Sequence, residues 1–189
     1  LSPIAMATML FILASAPRIY DVRFGLEGAA FALFFAAHGV GIIIGQTANR
    51  RLIPVLGIVP AMLVGNAVLI LSAVAILTLS LAGLISAWLM TALLILYATS
   101  YLVVYANATA MVLDPHGDIA GFAAALFGCF SQIGASIIAS AIVVFTMDSP
   151  VAFSSALLGI CLVCFAMIAG WLVMNGAGRA TEAAPKSTS

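Results

Sequence analysis

Cys161 and Cys164 form a C-x-x-C pair, His38 lies in a run without charge, and Tyr97, Tyr101 and Tyr105 recur at every fourth position. These groups have the types and spacing that could do chemistry. A C-x-x-C pair can exchange thiols and disulfides, but only as a thiolate. This one is flanked by Leu, Val and Phe, where a thiol stays protonated and inert, so the pair reads as structural. A membrane thiol oxidoreductase would also need thiols near water, and the remaining cysteine, Cys129, again lies in an apolar run. His38 shares a helical face with Phe34, Gly41 and Gly45. It is either a neutral ring bonded to a neighbouring helix or a group that binds substrate or a proton. Tyr97 and Tyr101 either line a wet cavity or pack between helices, while Tyr105 suits an interfacial belt. Gln132, with Ser136 and Ser140, makes a polar stripe that should face protein or water. Asn66 suits an interhelical hydrogen bond. No G-x-S-x-G, Walker, dinucleotide or metal-ligand motif occurs. No catalytic residue, metal or cofactor is therefore expected, and the chain does not read as an enzyme.

The elements that carry these residues follow from composition. Hydrophobic residues make up 65% of the chain and charged residues 6%, with mean hydropathy +1.30. A soluble domain carries about 25% charged residues, so this chain must be solvated by lipid. Zero net charge leaves no basic field for nucleic acid. Asp, Glu, Lys and Arg are missing from 1–17, 28–49, 52–113, 119–147 and 149–178. A crossing needs about 20 apolar residues, so the long stretch 52–113 must hold more than one, with its break at "LSLAGLIS" (79–86). The spacing predicts an all-α, polytopic membrane protein with six spans, about 1–17, 28–49, 57–79, 84–113, 119–147 and 150–175. They form one bundle over 1–177, followed by a disordered tail at 178–189. "LIPVLGIVP" (52–60) reads as an interfacial approach to the third span. The first residue is Leu1 and the first span starts abruptly, which predicts a fragment of a longer chain.

"DPHGD" (114–118) reads as a tight turn outside the hydrocarbon, with Asp118 capping the next helix. Arg50, Arg51, Arg179 and Lys186 share its side, against Arg18 and Arg23 on the other. That bias puts the turn and the C-terminus in the cytoplasm. Small-xxx-small spacings in "GVGIIIG" (39–45), "GFAAALFG" (121–128) and "IGASIIAS" (133–140) read as helix packing surfaces.

Three stretches carry a family resemblance. Ser15, Pro17 and Tyr20 precede Phe24-Gly25-Leu26; Asn49, Arg51 and Leu52 follow the second span; Asn107-Ala108, Ala120-Gly121 and Ala125-Leu126-Phe127-Gly128 surround "DPHGD". In order and spacing they resemble the C-terminal half, helices 7–12, of the major facilitator superfamily, in its bicyclomycin/chloramphenicol-resistance (Bcr/CflA) drug-efflux branch. Arg18 departs from that pattern, where an apolar or aromatic residue is usual. The resemblance implies one six-helix half of a two-lobed transporter in a bacterial inner membrane, working by alternating access. It implies proton-coupled efflux of drugs or small amphipathic molecules, with an N-terminal six-helix half, a small-molecule substrate, protons and the lipid bilayer as partners. It also implies that the first, second, fourth and fifth helices face the cavity. His38, Tyr97, Tyr101 and Gln132 would then be cavity residues, and Asn49, Arg50, Arg51, Asp114 and Asp118 a cytoplasmic gate. The alternatives are a carrier of another small metabolite in the same superfamily, a non-transporting scaffold or truncated half-transporter, and the thiol oxidoreductase above.

Overall fold

The computed structural model describes residues 1–146 and 149–182, with side chains outside 115–117 and 175–182. It is all-helical. The α helices are α1 (Ser2–Phe24), α2 (Gly28–Leu56), α3 (Ile58–Leu81), α4 (Ala87–Leu113), α5 (Ala120–Thr146) and α6 (Pro150–Glu182), with a short 3₁₀ helix at Asp114–Ile119 between α4 and α5. All six α helices are long and apolar enough to cross a membrane. The shortest, α1, has 23 residues and at 1.5 Å per residue spans about 35 Å, more than a roughly 30 Å hydrocarbon core. In lipid an unpaired backbone group has no water to turn to, so helices that satisfy their own backbone are the required solution.

The helix ends differ from the sequence expectation in three places. Helix α2 runs through 50–56, so Arg50 and Arg51 lie in its last turns and not in a connecting turn. Pro54 is accommodated there because its missing N–H would have bonded the carbonyl of Arg50, close to the helix end. Reversal into α3 takes one residue, Gly57, whose φ of 82° lies in the region where a side chain is strained. The stretch 52–60 is thus shared between two helices. "DPHGD" continues directly from α4 as 3₁₀ helix and not as a tight turn. Helix α6 extends through 178–182, which the sequence reading placed in the tail; 183–189 lie outside the described residues. The break at 82–86 falls within the expected stretch, and the Ser86 side chain accepts a hydrogen bond from the Leu89 N–H (3.3 Å), capping α4.

Helices α1 and α4 sit at the centre. Helix α1 packs chiefly on α5, α4 on α2 and α3, and α3 on α6. Exchanging the unit α1–α3 with the unit α4–α6 maps the α1–α5 contact onto α4–α2 and returns α3–α6 to itself. The match is loosest for α3–α4, which is more extensive than α6–α1. Each unit has three crossings, so the second starts from the opposite side of the membrane and the two are inverted with respect to each other. Helices α2 and α5 occupy equivalent flanks, and both leave most of their surface uncovered.

The core holds Phe11 stacked on Phe153 (ring centroids 5.1 Å apart), with Ile12, Ile76, Met90 and Leu157 fully buried. Hydroxyls inside it return to their own helices: Ser72 donates to the Val68 carbonyl, Ser100 to Leu96 and Ser154 to Pro150. Such back-bonding removes an unpaired donor from an apolar interior.

Candidate functional site

The four expected cavity residues do not converge. Tyr97 is 1% exposed, and its hydroxyl shares a hydrogen bond with Cys161 Sγ at 3.1 Å. It ties α4 to α6 in the core. Tyr101 is also buried, stacked on Tyr105 at 5.5 Å, and the Tyr105 hydroxyl donates a weak bond to Met6 Sδ. Cys161 and Cys164 are both buried, while Cys129 is exposed on α5. Asn66 makes an interhelical bond, donating to the Cys161 carbonyl at 3.3 Å.

His38 lies elsewhere, between α1, α2 and α4. It is 4% exposed and faces a cavity of about 10 Å³ lined by Tyr20, Phe34, Phe35, Thr91 and Leu94 among others. Neither ring nitrogen has a partner at hydrogen-bonding geometry. Tyr20 Oη and Thr91 Oγ1 are 2.6 Å apart. The Thr91 hydroxyl has one proton, and it points to the Ala87 carbonyl at 2.8 Å. Tyr20 is then the donor to Thr91, and its own lone pairs remain available. Aromatic rings enclose the group. Tyr20 meets Phe24, Phe31 and Phe34, Phe35 stacks on the His38 ring at 5.9 Å, and Phe34 contacts Trp88 at 4.6 Å.

Two open spaces adjoin this cluster. A groove of about 420 Å³ runs between α2 and α4, lined by Leu33, Phe34, Ala37, Trp88, Thr91 and Ile95 among others. Phe34 and Thr91 line both the groove and the His38 cavity. A mouth lined by Arg18, Asp21, Glu27 and Phe31, among others, opens at the same end of the bundle. Sequence reasoning missed Thr91 altogether and met Tyr20 only as a motif residue. The signal available for Tyr20 was its i,i+4 spacing to Phe24; for Thr91 there was none.

The opposite end carries the expected gate residues. Asn49 is buried and bonded within the bundle: Asn107 Nδ2 donates to Asn49 Oδ1 at 2.7 Å and to the Val103 carbonyl at 2.8 Å. The structure thus joins two of the motif asparagines, from α2 and α4. Arg50, Arg51, Asp114 and Asp118 are exposed. An apolar cavity of about 350 Å³ lies at this end, lined by Pro3, Met62, Met111, Phe127, Met167 and Trp171 among others.

Gln132 stands on the uncovered flank of α5, near the middle of that helix, with Ser136 half-buried and Ser140 exposed. Gln46 is exposed on α2. An amide left against hydrocarbon without a partner costs roughly 4–8 kcal/mol, so these flanks are unsuited to bare lipid. On the covered side, α2 meets α4 through Gly41 and Gly45. A Cβ on Gly41 would come within 2.5 Å of the Ile95 carbonyl oxygen. Thr99 Oγ1 donates across the same contact to the Gly41 carbonyl at 3.0 Å.

Among the described residues no group of three or more His, Cys, Asp or Glu could hold a metal ion. No protein-family model, curated protein or solved structure matches this chain.

Proposed function

We propose that this chain is one six-helix lobe of a secondary active transporter of the major facilitator kind, exporting small amphipathic molecules against inward proton movement. The observation that carries the reading is the pairing of two inverted three-helix units whose equivalent flanks, α2 and α5, are left open and bear Gln46 and Gln132. A complete bundle would turn such amides inward. A lobe that works against a second lobe presents them to a shared, wet interface, and nested three-helix repeats are how such lobes are built.

The motif resemblance in residues 15–57 and 105–128 supports the Bcr/CflA branch and hence export of drug-like molecules. The groove beside Trp88 and Phe34 is in the size range of small-molecule sites and offers aromatic faces to an amphipathic ligand. In this reading Arg50, Arg51, Asp114 and Asp118 lie on the cytoplasmic side and pair with the second lobe in one of the two access states. Asn49 and Asn107 hold that end of the lobe rigid.

The test is transport by the full-length protein in sealed vesicles with an imposed pH gradient, using ethidium and chloramphenicol as probes. Gradient-dependent movement of either is expected. In a Cys129→Ser background, Gln132→Cys should react with a membrane-impermeant maleimide. A protein that moves neither probe, and whose Gln132→Cys resists the reagent, is a scaffold and not a transporter.

A further inference from the structure

The His38 cavity is more specific than the proposed function requires. Its volume of about 10 Å³ matches about one water molecule, which needs two to four polar partners to be stable. The lining supplies them: a ring nitrogen of His38, the lone pairs of Tyr20 Oη, and the second lone pair of Thr91 Oγ1. Such a water can serve both charge states of the ring. It donates to the bare nitrogen of a neutral imidazole while donating its other proton to Tyr20. When the ring is charged, its N–H donates to the water oxygen instead. In either state the water partners one ring nitrogen of the histidine.

We infer that His38, with one water held between it and the Tyr20–Thr91 pair, is a proton-binding site of this lobe and the site through which proton movement is coupled to transport. The step is balanced: a hydronium reaching the cavity gives its proton to the ring nitrogen, leaving imidazolium and water. The coupling role rests on the transporter reading above; proton binding does not.

The surroundings favour His38 for this work. Asp21, Glu27, Asp114 and Asp118 stand at helix ends, and Tyr20, from α1, is the other titratable group lining the cavity. From α4 come Thr91 and Leu94, neither of them charged, and α2 adds Phe34 and Phe35. Histidine changes charge between about pH 5 and 8, where phenols and buried thiols do not. Phe31 contacts Tyr20 and also lines the mouth that holds Arg18, Asp21 and Glu27. It thus touches both a residue of the cavity and the mouth. On the other side, Phe34 and Thr91 form the wall shared with the groove, so a ligand there would press on the pair that holds the water.

The experiment is ¹⁵N NMR of histidine-labelled full-length protein in lipid nanodiscs, with His38→Gln identifying the His38 signals by difference. Over a titration from about pH 4 to 8 the ring is expected to pass once from charged to neutral. Tyr20→Phe, which removes the phenolic acceptor, should move the midpoint by about one pH unit, a tenfold change in proton affinity. A ring that keeps one charge state over that range, or a midpoint indifferent to Tyr20→Phe, overturns the site. In vesicles, His38→Gln should abolish gradient-driven accumulation of ethidium while downhill counterflow persists. Accumulation at the wild-type level in His38→Gln overturns the coupling role. If the wild-type protein moves no probe while His38 titrates, the transporter reading falls and the proton site stands.

Discussion

Gly45→Ala places a methyl group where α2 meets the backbone of α4. The new Cβ would fall on the Thr99 carbonyl oxygen and within 3.0 Å of the Thr99 carbonyl carbon and Cα. None of these is the end of a flexible side chain, so the helices must part by about 1 Å to restore ordinary contact. Overpacking of this kind costs about 1–3 kcal/mol. The Thr99 hydroxyl, shared between the Gly41 carbonyl at 3.0 Å and the Ile95 carbonyl at 2.9 Å, keeps the second bond and adds little. The expected loss is about 1–3 kcal/mol, or roughly 5- to 150-fold in the opening equilibrium. Native cysteines supply the assay. In a Cys129→Ser background the remaining thiols, Cys161 and Cys164, are buried, so their rate of labelling by a maleimide dye reports transient opening. Gly159→Ala, where a Cβ meets nothing within 4 Å, is the control and should label at close to the parent rate. If Gly45→Ala labels no faster than Gly159→Ala, the α2–α4 contact is not held by close backbone approach and the reasoning fails.

Asn107→Ala leaves Asn49 Oδ1 without its donor and should lower stability by about 1–3 kcal/mol; the double variant with Asn49→Ala should lose less than the sum of the two, and additive thermal melts would show the pair to be uncoupled. Tyr97→Phe removes the bond to Cys161 and should cost about 0.5–1.5 kcal/mol. In native membranes at 25 °C Cys161 and Cys164 should react with maleimide only at the slow rate of transient opening, and rapid labelling of both would bring back thiol chemistry. Replacing Arg50 and Arg51 together with Gln should impair transport while membrane insertion, followed by protease accessibility, is unchanged; undiminished efflux removes these residues from the gate.

Much of the architecture was legible because charge is so scarce. Five uncharged runs, parted at Arg18, Arg50, the Asp114–Asp118 segment and Asp148, leave little choice of where crossings lie, and the longest is the one that must hold two. Helix ends were less legible. Two arginines inside α2 looked like a boundary, yet long side chains at a helix end reach the interface while the backbone stays helical. The polar residues divided by how much of their setting is local. Gln132 was expected to face protein or water, since its cost in lipid depends on its own amide, and it stands exposed on the open flank of α5. Tyr97 read equally well as cavity or packing, and its partner, Cys161, lies on another helix. His38 gained its meaning only beside Tyr20 and Thr91, which come from different helices.

The sequence by itself determined six helical stretches long and apolar enough to cross a membrane. Hydrocarbon accepts no unpaired backbone group, so every long uncharged run has one solution. It did not determine which faces meet. Helices apolar on nearly every side carry no amphipathic stripe to point them inward, and lipid is as apolar as their neighbours, so packing alone selects the contacts. The pair Gly41 and Gly45 and the small residues of 121–128 read alike in the sequence. In the folded chain the first pair meets the backbone of α4, while a Cβ on Gly121 or Gly128 would meet nothing within 4 Å. Only the tertiary structure separated a closed contact from an open flank, because that difference lies in shape complementarity between distant segments and leaves no local trace.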